Sequence, residues 1–172
     1  MTTYIKPTDV EVDHNIFVSK RISSSVEPIT TEVIAKFIKA CNAAKQTLVP
    51  KINDKSQKIL PIKFVLRHIK ADDIIGRCLA NKRYICVEID YRYGLDLSKL
   101  AKTLAHELVH AEQYMTRRLK WSDRKLCWLW ENKHHTNMGS THNTYMNQPW
   151  EIEAYARQRQ DSLDLLDKYF TM

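Results

Sequence analysis

The stretch that decides the fold is residues 98–119, SKLAKTLAHELVHAEQYMTRRL. Its apolar side chains recur at three- and four-residue spacing, the period of an amphipathic helix with one buried face. They are Leu100, Leu104, Leu108, Ala111 and Met115. Asp96 or Ser98 is the expected N-cap, because either side chain can accept a hydrogen bond from the first helical turn. The sequence therefore predicts a long helix over 98–119.

Within this helix lies the run His106-Glu107-Leu108-Val109-His110. Two histidines four residues apart lie on the same helix face, where their imidazoles can share one tetrahedral Zn²⁺. Glu107 is rotated from them by about 100° around the helix axis, so it reaches a water beside the metal rather than the metal itself. The run predicts His106 and His110 as zinc ligands and Glu107 as the general acid/base of a hydrolytic reaction.

A catalytic zinc site needs a third protein ligand and leaves its fourth position to water. Residues 149–155, PWEIEAY, predict the start of a final helix that runs to about residue 169, since proline favours the first helical position. A carboxylate at the start of this helix can face the two histidines of the other helix, and Glu151 is the favoured ligand. Four alternatives stay open: Glu153, His134, His135 and His142.

The remaining elements predict an α+β domain. Apolar spacing indicates a helix over 30–48, which Pro50 is expected to end. Alternating residues indicate strands at 62–66 and 84–89, with shorter ones at 15–19 and 126–130. Residues 72–80 are ambiguous, and residues 1–29 are expected to include an extended N-terminal segment. We expect one domain over residues 1–172, with a small β-sheet and the zinc-binding helix packed against the ligand-bearing C-terminal helix.

Bulk properties narrow the class of protein. The net charge is +7, which favours non-specific contact with nucleic acid through a basic surface and also suits a solvated basic face. The sequence shows no secretion signal and no apolar run of the roughly 18 residues that span a bilayer, so we expect a cytoplasmic protein without a membrane partner. The four cysteines form no C-x-x-C pair and are expected to be buried free thiols: Cys41, Cys78, Cys86 and Cys127.

The two motifs together, HELVHAEQY at 106–114 and PWEIEAY at 149–155, resemble the small metallopeptidases of the gluzincin-like type that bacteriophages and bacteria encode. The resemblance covers about residues 100–157 and implies a zincin-like fold, a protein or peptide substrate, and zinc held by His106, His110 and Glu151. It also implies a phage protein that acts in the host cytoplasm if it is virus-encoded. Tyr155 stands where this family usually has Asp or Asn.

A weaker resemblance is to SprT-like proteases, which cut proteins crosslinked to DNA and share the H-E-x-x-H helix. Their third ligand is a histidine, usually followed by a glycine and then an aromatic residue, and neither His134 nor His142 lies in such a pattern. A non-catalytic, zinc-stabilised virion or binding module is the third hypothesis. In the polar stretch 131–147, Tyr145 and His142 are candidate donors to an oxyanion or to the substrate.

Overall fold

A mixed β-sheet with helices packed on it, and a smaller antiparallel sheet beside it, make up the α+β domain seen in this computed structural model. The structure describes residues 5–6, 8–19, 30–70, 74–93, 96–135 and 142–172, with the side chains of His142 and Asn143 left out. This agrees with the predicted α+β class. Within the described residues, no helix is both long and apolar enough to cross a membrane.

Five strands form the larger sheet in the order β1-β2-β3-β5-β4. They are β1 (Asp9–Asp13), β2 (Ile16–Ser19), β3 (Ile62–Arg67), β4 (Gly76–Ala80) and β5 (Ile85–Asp90). The central pairs β2–β3 and β3–β5 are parallel, whereas β1 and β4 pair antiparallel with their neighbours at the two edges. The ambiguous stretch 72–80 thus contains the edge strand β4, and residues 9–19 of the N-terminal stretch belong to the sheet.

Three long helices bury the apolar core with the sheet. These are α1 (Thr31–Lys55), α2 (Leu97–Met115) and α4 (Pro149–Thr171), and the short α3 (His142–Met146) precedes α4. The main core cluster includes Phe37 of α1, Phe64 and Ile89 of the sheet, Leu104 of α2 and Leu165 of α4. Helix α2 therefore lies in the middle of the domain, in contact with α1, α4 and the strands β4 and β5. Almost every side chain of its second half is buried.

Two predicted helix ends were wrong. Helix α1 continues through Pro50 to Lys55, because Leu48 and Ile52 are buried on its inward face on either side of the proline. Tertiary packing thus outweighs the loss of one helical hydrogen bond. Helix α2 ends at Met115 rather than near Leu119, since Arg117 has a φ of 59° and the chain turns there into the next strand. The predicted N-cap is confirmed at Asp96, whose side chain accepts from Lys99 N.

The smaller sheet contains β6 (Leu119–Ser122), β7 (Cys127–Trp130) and β8 (Lys133–His135) in an antiparallel meander. Leu119, Trp130 and Trp150 form its buried cluster, with Tyr114 and Trp128 packed against them. This aromatic cluster joins the end of α2 to the beginning of α4, and it fixes the two helix segments that contain the candidate site. The cysteines are free thiols as predicted, and Cys78 is only half-buried.

Candidate metal centre

The packing of α2 on α4 brings His106, His110 and Glu151 together. Each residue offers one ligand atom, and these atoms lie within 4.8 Å of one another in a buried position. Glu151 Oε2 lies 3.1 Å from His106 Nε2, and Glu151 Oε1 lies 3.3 Å from His110 Nε2. The two Nε2 atoms are 3.1 Å apart. All three residues are among those named in the sequence analysis, and among the described residues they form the one such cluster.

Local sequence explains why the three side chains meet. The four-residue spacing of the histidines places both on the face of α2 that is turned towards α4. Helix α4 begins at Pro149, so Glu151 lies in its first turn, where the helix dipole favours a carboxylate. One turn further on, Ala154 is completely buried, and its small side chain is compatible with a close approach of the two helices.

Gln113 fixes which nitrogen of His110 is available to a ligand. The Gln113 Nε2 group donates to the carbonyl oxygen of Trp150 at 3.0 Å, and a carbonyl can only accept. The amide oxygen of Gln113 therefore faces His110 Nδ1, at 2.9 Å, so that Nδ1 must donate its proton. The lone pair of the neutral ring is then on Nε2, which points at Glu151 and His106. Sequence analysis missed Gln113, although its position three residues after His110 places it on the same helix face.

Glu107 lies next to the cluster without belonging to it. Its side chain is buried and accepts a hydrogen bond from the backbone N–H of Cys78 on the edge strand β4. Burial raises the pKa of Glu107, against the opposing effect of the two imidazoles, and the Glu151 carboxylate raises it further. A carboxyl group with a raised pKa is a stronger base, which suits it to accepting and returning a proton.

Two tyrosines border the cluster. The ring of Tyr155 contacts that of His106, with centroids 4.6 Å apart. The hydroxyl of Tyr145 hydrogen-bonds the Glu151 carboxylate, and burial together with that negative charge raises the pKa of Tyr145. Tyr145 therefore stays protonated and donates, and about half of its surface remains exposed. Tyr145 is thus the sequence-predicted donor that lies at the cluster; the His142 side chain is outside the described part of the chain.

The charges of the cluster suit a divalent cation. Burial raises the pKa of Glu151, but hydrogen bonds with His106 and His110 outweigh it and lower the value to about 2. Burial lowers the pKa of His110, but Glu151 and Glu107 outweigh it and raise the value to about 9. Within the described residues, neither Glu107 nor Glu151 has a lysine or arginine partner. Two imidazoles and a carboxylate are common metal ligands, and His106, His110 and Glu151 could together hold one metal ion.

The other candidate ligands are engaged elsewhere. Glu153 accepts a bidentate pair of hydrogen bonds from Arg118, at 2.9 and 2.7 Å, and lies 3.3 Å from Arg157. His134 lies 2.8 Å from Lys125 Nζ and 3.4 Å from Cys127 Sγ, while His135 packs edge-on against Trp150. None of the three belongs to the cluster. A scan against protein-family models finds no match for this chain, and searches of curated proteins and of solved structures find none either.

Proposed function

We propose that this protein is a zinc-dependent metallopeptidase that hydrolyses peptide bonds at the His106, His110 and Glu151 cluster. The observation that supports the proposal is the position of Glu107, a buried carboxyl group beside three converging ligand atoms but outside their group. A purely structural zinc site has four protein ligands and no use for an adjacent base. Three ligands and a neighbouring base are the arrangement that hydrolysis requires.

Each residue has a distinct role in this proposal. His106, His110 and Glu151 hold the metal, and a bound zinc ion would supply the Lewis acidity that acidifies a water and polarises a carbonyl group. Glu107 accepts the proton of the attacking water and returns it to the leaving amine, a transfer that its raised pKa favours. Tyr145 is about half exposed, and its hydroxyl, which donates to Glu151 here, could donate instead to negative charge developing on the substrate when Glu151 is engaged by the metal.

The experiment that tests the proposal is Glu107→Gln. The amide keeps the shape of the side chain but cannot accept a proton, so we expect zinc content and folding like those of the parent. Hydrolysis of unfolded proteins and peptides should fall by about 100-fold or more, because a positioned acid–base group typically contributes 10²–10⁴-fold. Glu32→Gln, at an exposed position of α1, is the matched control and should leave activity unchanged.

Two outcomes would contradict the proposal. Cleavage by Glu107→Gln at the parental rate would show that Glu107 is not the base. A parent protein that binds one zinc ion per chain but cleaves none of a broad set of unfolded proteins would favour the non-catalytic module instead.

A further inference from the structure

The outer face of α4 has an exposed ridge formed by Tyr155, Arg159, Leu163 and Asp167. Residues four apart on a helix form one such ridge along its surface. Leu163 is 53% exposed and Tyr155 is 40% exposed. Next to the ridge, Ile152 and Phe170 are 55% and 71% exposed. Single exposed apolar residues are ordinary, but four of them on one face of one helix indicate a contact surface.

The charges on this ridge have a symmetric arrangement. Arg159 precedes Leu163 by four residues and Asp167 follows it by four, so opposite charges flank the leucine at equal distance. In the part of the chain that the structure describes, neither the Arg159 nor the Asp167 side chain has an ion-pair partner. Their neighbours on the inner faces of α4 do: Arg157 pairs with Glu112, and Asp164 pairs with Lys51. The ridge thus presents two unpaired, complementary charges around an exposed leucine.

We propose that this ridge is the interface of a two-fold symmetric pair of this chain, with α4 antiparallel to α4 of the second copy and crossing it near Leu163. Rotation about the two-fold axis places Arg159 beside the partner's Asp167 and Asp167 beside the partner's Arg159, so one pattern forms two ion pairs. Interfaces of this isologous kind require a self-complementary surface. When two helices cross at about −50°, the four-residue ridge of one lies parallel to that of the other, so the ridges can pack into the adjacent grooves. This is the commonest crossing angle in globular proteins.

The surroundings of the ridge are compatible with this packing. A groove of about 410 Å³ opens beside it, lined by Leu163, Leu166 and Arg159 of α4 and by Ser98 and Lys102 of α2. The partner's leucine can enter it and bury apolar surface that is otherwise in water. At its other end the ridge begins with Tyr155, whose ring contacts His106, so a second copy would lie beside the wall of the metal centre. The pairing itself does not depend on the proposed reaction.

One helix face is a small interface. Stable complexes bury about 1,200–2,000 Å², and a single helix pair buries less, so we expect a concentration-dependent pair with a dissociation constant in the micromolar range. Sedimentation equilibrium of the complete chain over that range measures it directly. Apolar contact at Leu163 provides most of the attraction and the two charge pairs determine the orientation, so Leu163→Glu should leave the protein monomeric.

The decisive test uses two charge reversals, Arg159→Asp and Asp167→Arg. Each variant alone places like charges opposite each other twice, and we expect its dissociation constant to rise about tenfold or more, since each pair changes from attraction to repulsion. In an equimolar mixture of the two variants, both contacts become complementary again, so the mixed pair should form with nearly parental affinity. Arg83→Asp and Asp123→Arg make the same changes of charge at exposed positions outside α4 and should leave self-association unchanged.

The mixture distinguishes this geometry from general effects of charge or folding. Each variant in it still carries its own substitution, so only complementary contacts between the two chains can restore the pairing. A parent that stays monomeric at every concentration would overturn the proposal, and the ridge would then be a contact surface for a different partner. Pairing that persists in the single reversals, or that the mixture fails to restore, would overturn it equally.

Discussion

Buried carboxylates occur in two settings in this protein, and their partners differ. Glu88 of the sheet is 1% exposed and forms ion pairs with Arg67 and Arg77. Glu112 of α2 is 3% exposed and pairs with Lys55 and Arg157. Glu151 and Glu107 are 2% and 6% exposed, yet in the described part of the chain they face only imidazoles, a tyrosine hydroxyl and a backbone N–H.

This difference indicates where the protein can accommodate a cation. A buried charge is expensive unless a partner compensates it, and lysine or arginine provides a permanent positive charge at Glu88 and Glu112. At the cluster of His106, His110 and Glu151, the positive charge has to come from protons or from a bound ion. Without metal, His110 can supply that charge as an imidazolium, because Glu151 and Glu107 outweigh burial and raise its pKa to about 9. The ion pairs therefore compensate Glu88 and Glu112 within the fold, whereas in the described part of the chain Glu107 and Glu151 have no lysine or arginine that does so.

The largest expected effect concerns Glu151→Gln. Loss of a ligand carboxylate should weaken zinc binding by more than the 10–100-fold typical of a lost supporting residue, because a ligand atom itself is removed. The parent should contain about one zinc per chain. Metal analysis and competition with a chelator provide the measurement.

Glu153→Gln is the matched control for that experiment, two residues further along the same helix. Because Glu153 is bound by Arg118 rather than directed at the cluster, zinc affinity should stay near the parental value. If Glu153→Gln lost the metal and Glu151→Gln kept it, the assigned third ligand would be wrong.

The second prediction concerns the buried carboxylates that pair with arginine or lysine, here Glu88. Arg67 lies 2.7 Å from Asp9 Oδ2 and 3.0 Å from Glu88 Oε1, and it is nearly inaccessible to solvent. Arg67→Met should lower the free energy of unfolding by about 3–5 kcal/mol, since two carboxylates lose a buried partner. Arg77→Met removes a half-exposed partner of Glu88 and should cost less than about 1 kcal/mol. Urea unfolding measures both, and equal losses would contradict the comparison.

The sequence was sufficient to predict those elements that nearby residues determine. The spacing of apolar residues, with Asp96 or Ser98 as N-cap, predicted α2, and Pro149 predicted the start of α4. Glu151 was favoured because a carboxylate on that helix can face the two histidines of α2. The packing of α1 and of β4 depends on distant partners, which explains why Pro50 misled the prediction and why 72–80 stayed ambiguous. A strand at the sheet edge is determined by its pairing with β5, and spacing within 76–80 does not reveal it.

Most contacts that support the candidate metal centre also depend on distant partners. Gln113 connects His110 to the Trp150 carbonyl, and Arg118 holds Glu153, only because α2 and α4 pack in this register. Tyr155 of α4 contacts His106 of α2. Apart from the local contact of Gln113 with His110, these contacts join residues 35 to 49 positions apart, and nothing in the sequence near either partner specifies them.

The third prediction tests whether Gln113 positions His110. Gln113→Leu keeps the size of the side chain but removes the acceptor for Nδ1–H, so zinc affinity should fall about 10–100-fold, as is typical when a ligand loses its supporting hydrogen bond. Gln113→Glu restores an acceptor and should recover affinity relative to the leucine variant. Chelator competition measures this, with unfolding curves of the metal-free proteins run in parallel. If leucine and glutamate weakened zinc binding equally, Gln113 would have only a packing role.

The fourth prediction is a pH dependence at Asp90, another buried carboxylate that pairs with an arginine. Burial raises the pKa of Asp90, but hydrogen bonds from Arg92 and from the backbone N–H of Ile69 outweigh it, so the pKa lies below its ordinary value. A lowered pKa in the folded state gives stability that is present above the pKa of the unfolded state, about 3.9, and is lost as pH falls through the folded value. At neutral pH, Asp90→Asn should therefore be less stable than the parent by about 1.5–3 kcal/mol, the contribution of hydrogen bonds to a charged group.

The difference between parent and Asp90→Asn should shrink steadily as the pH falls from about 5 to below 3, because the parent's carboxylate then takes up its proton. Urea unfolding at a series of pH values measures it. Asp123→Asn, in the exposed turn before β7, is the control and should give a curve parallel to that of the parent. A difference that stayed constant down to the acid limit would mean that Asp90 stabilises the fold through its shape and neutral hydrogen bonds. Asp90 would then no longer be an example of a buried carboxylate whose negative charge an arginine compensates, in contrast to the carboxylates at the cluster.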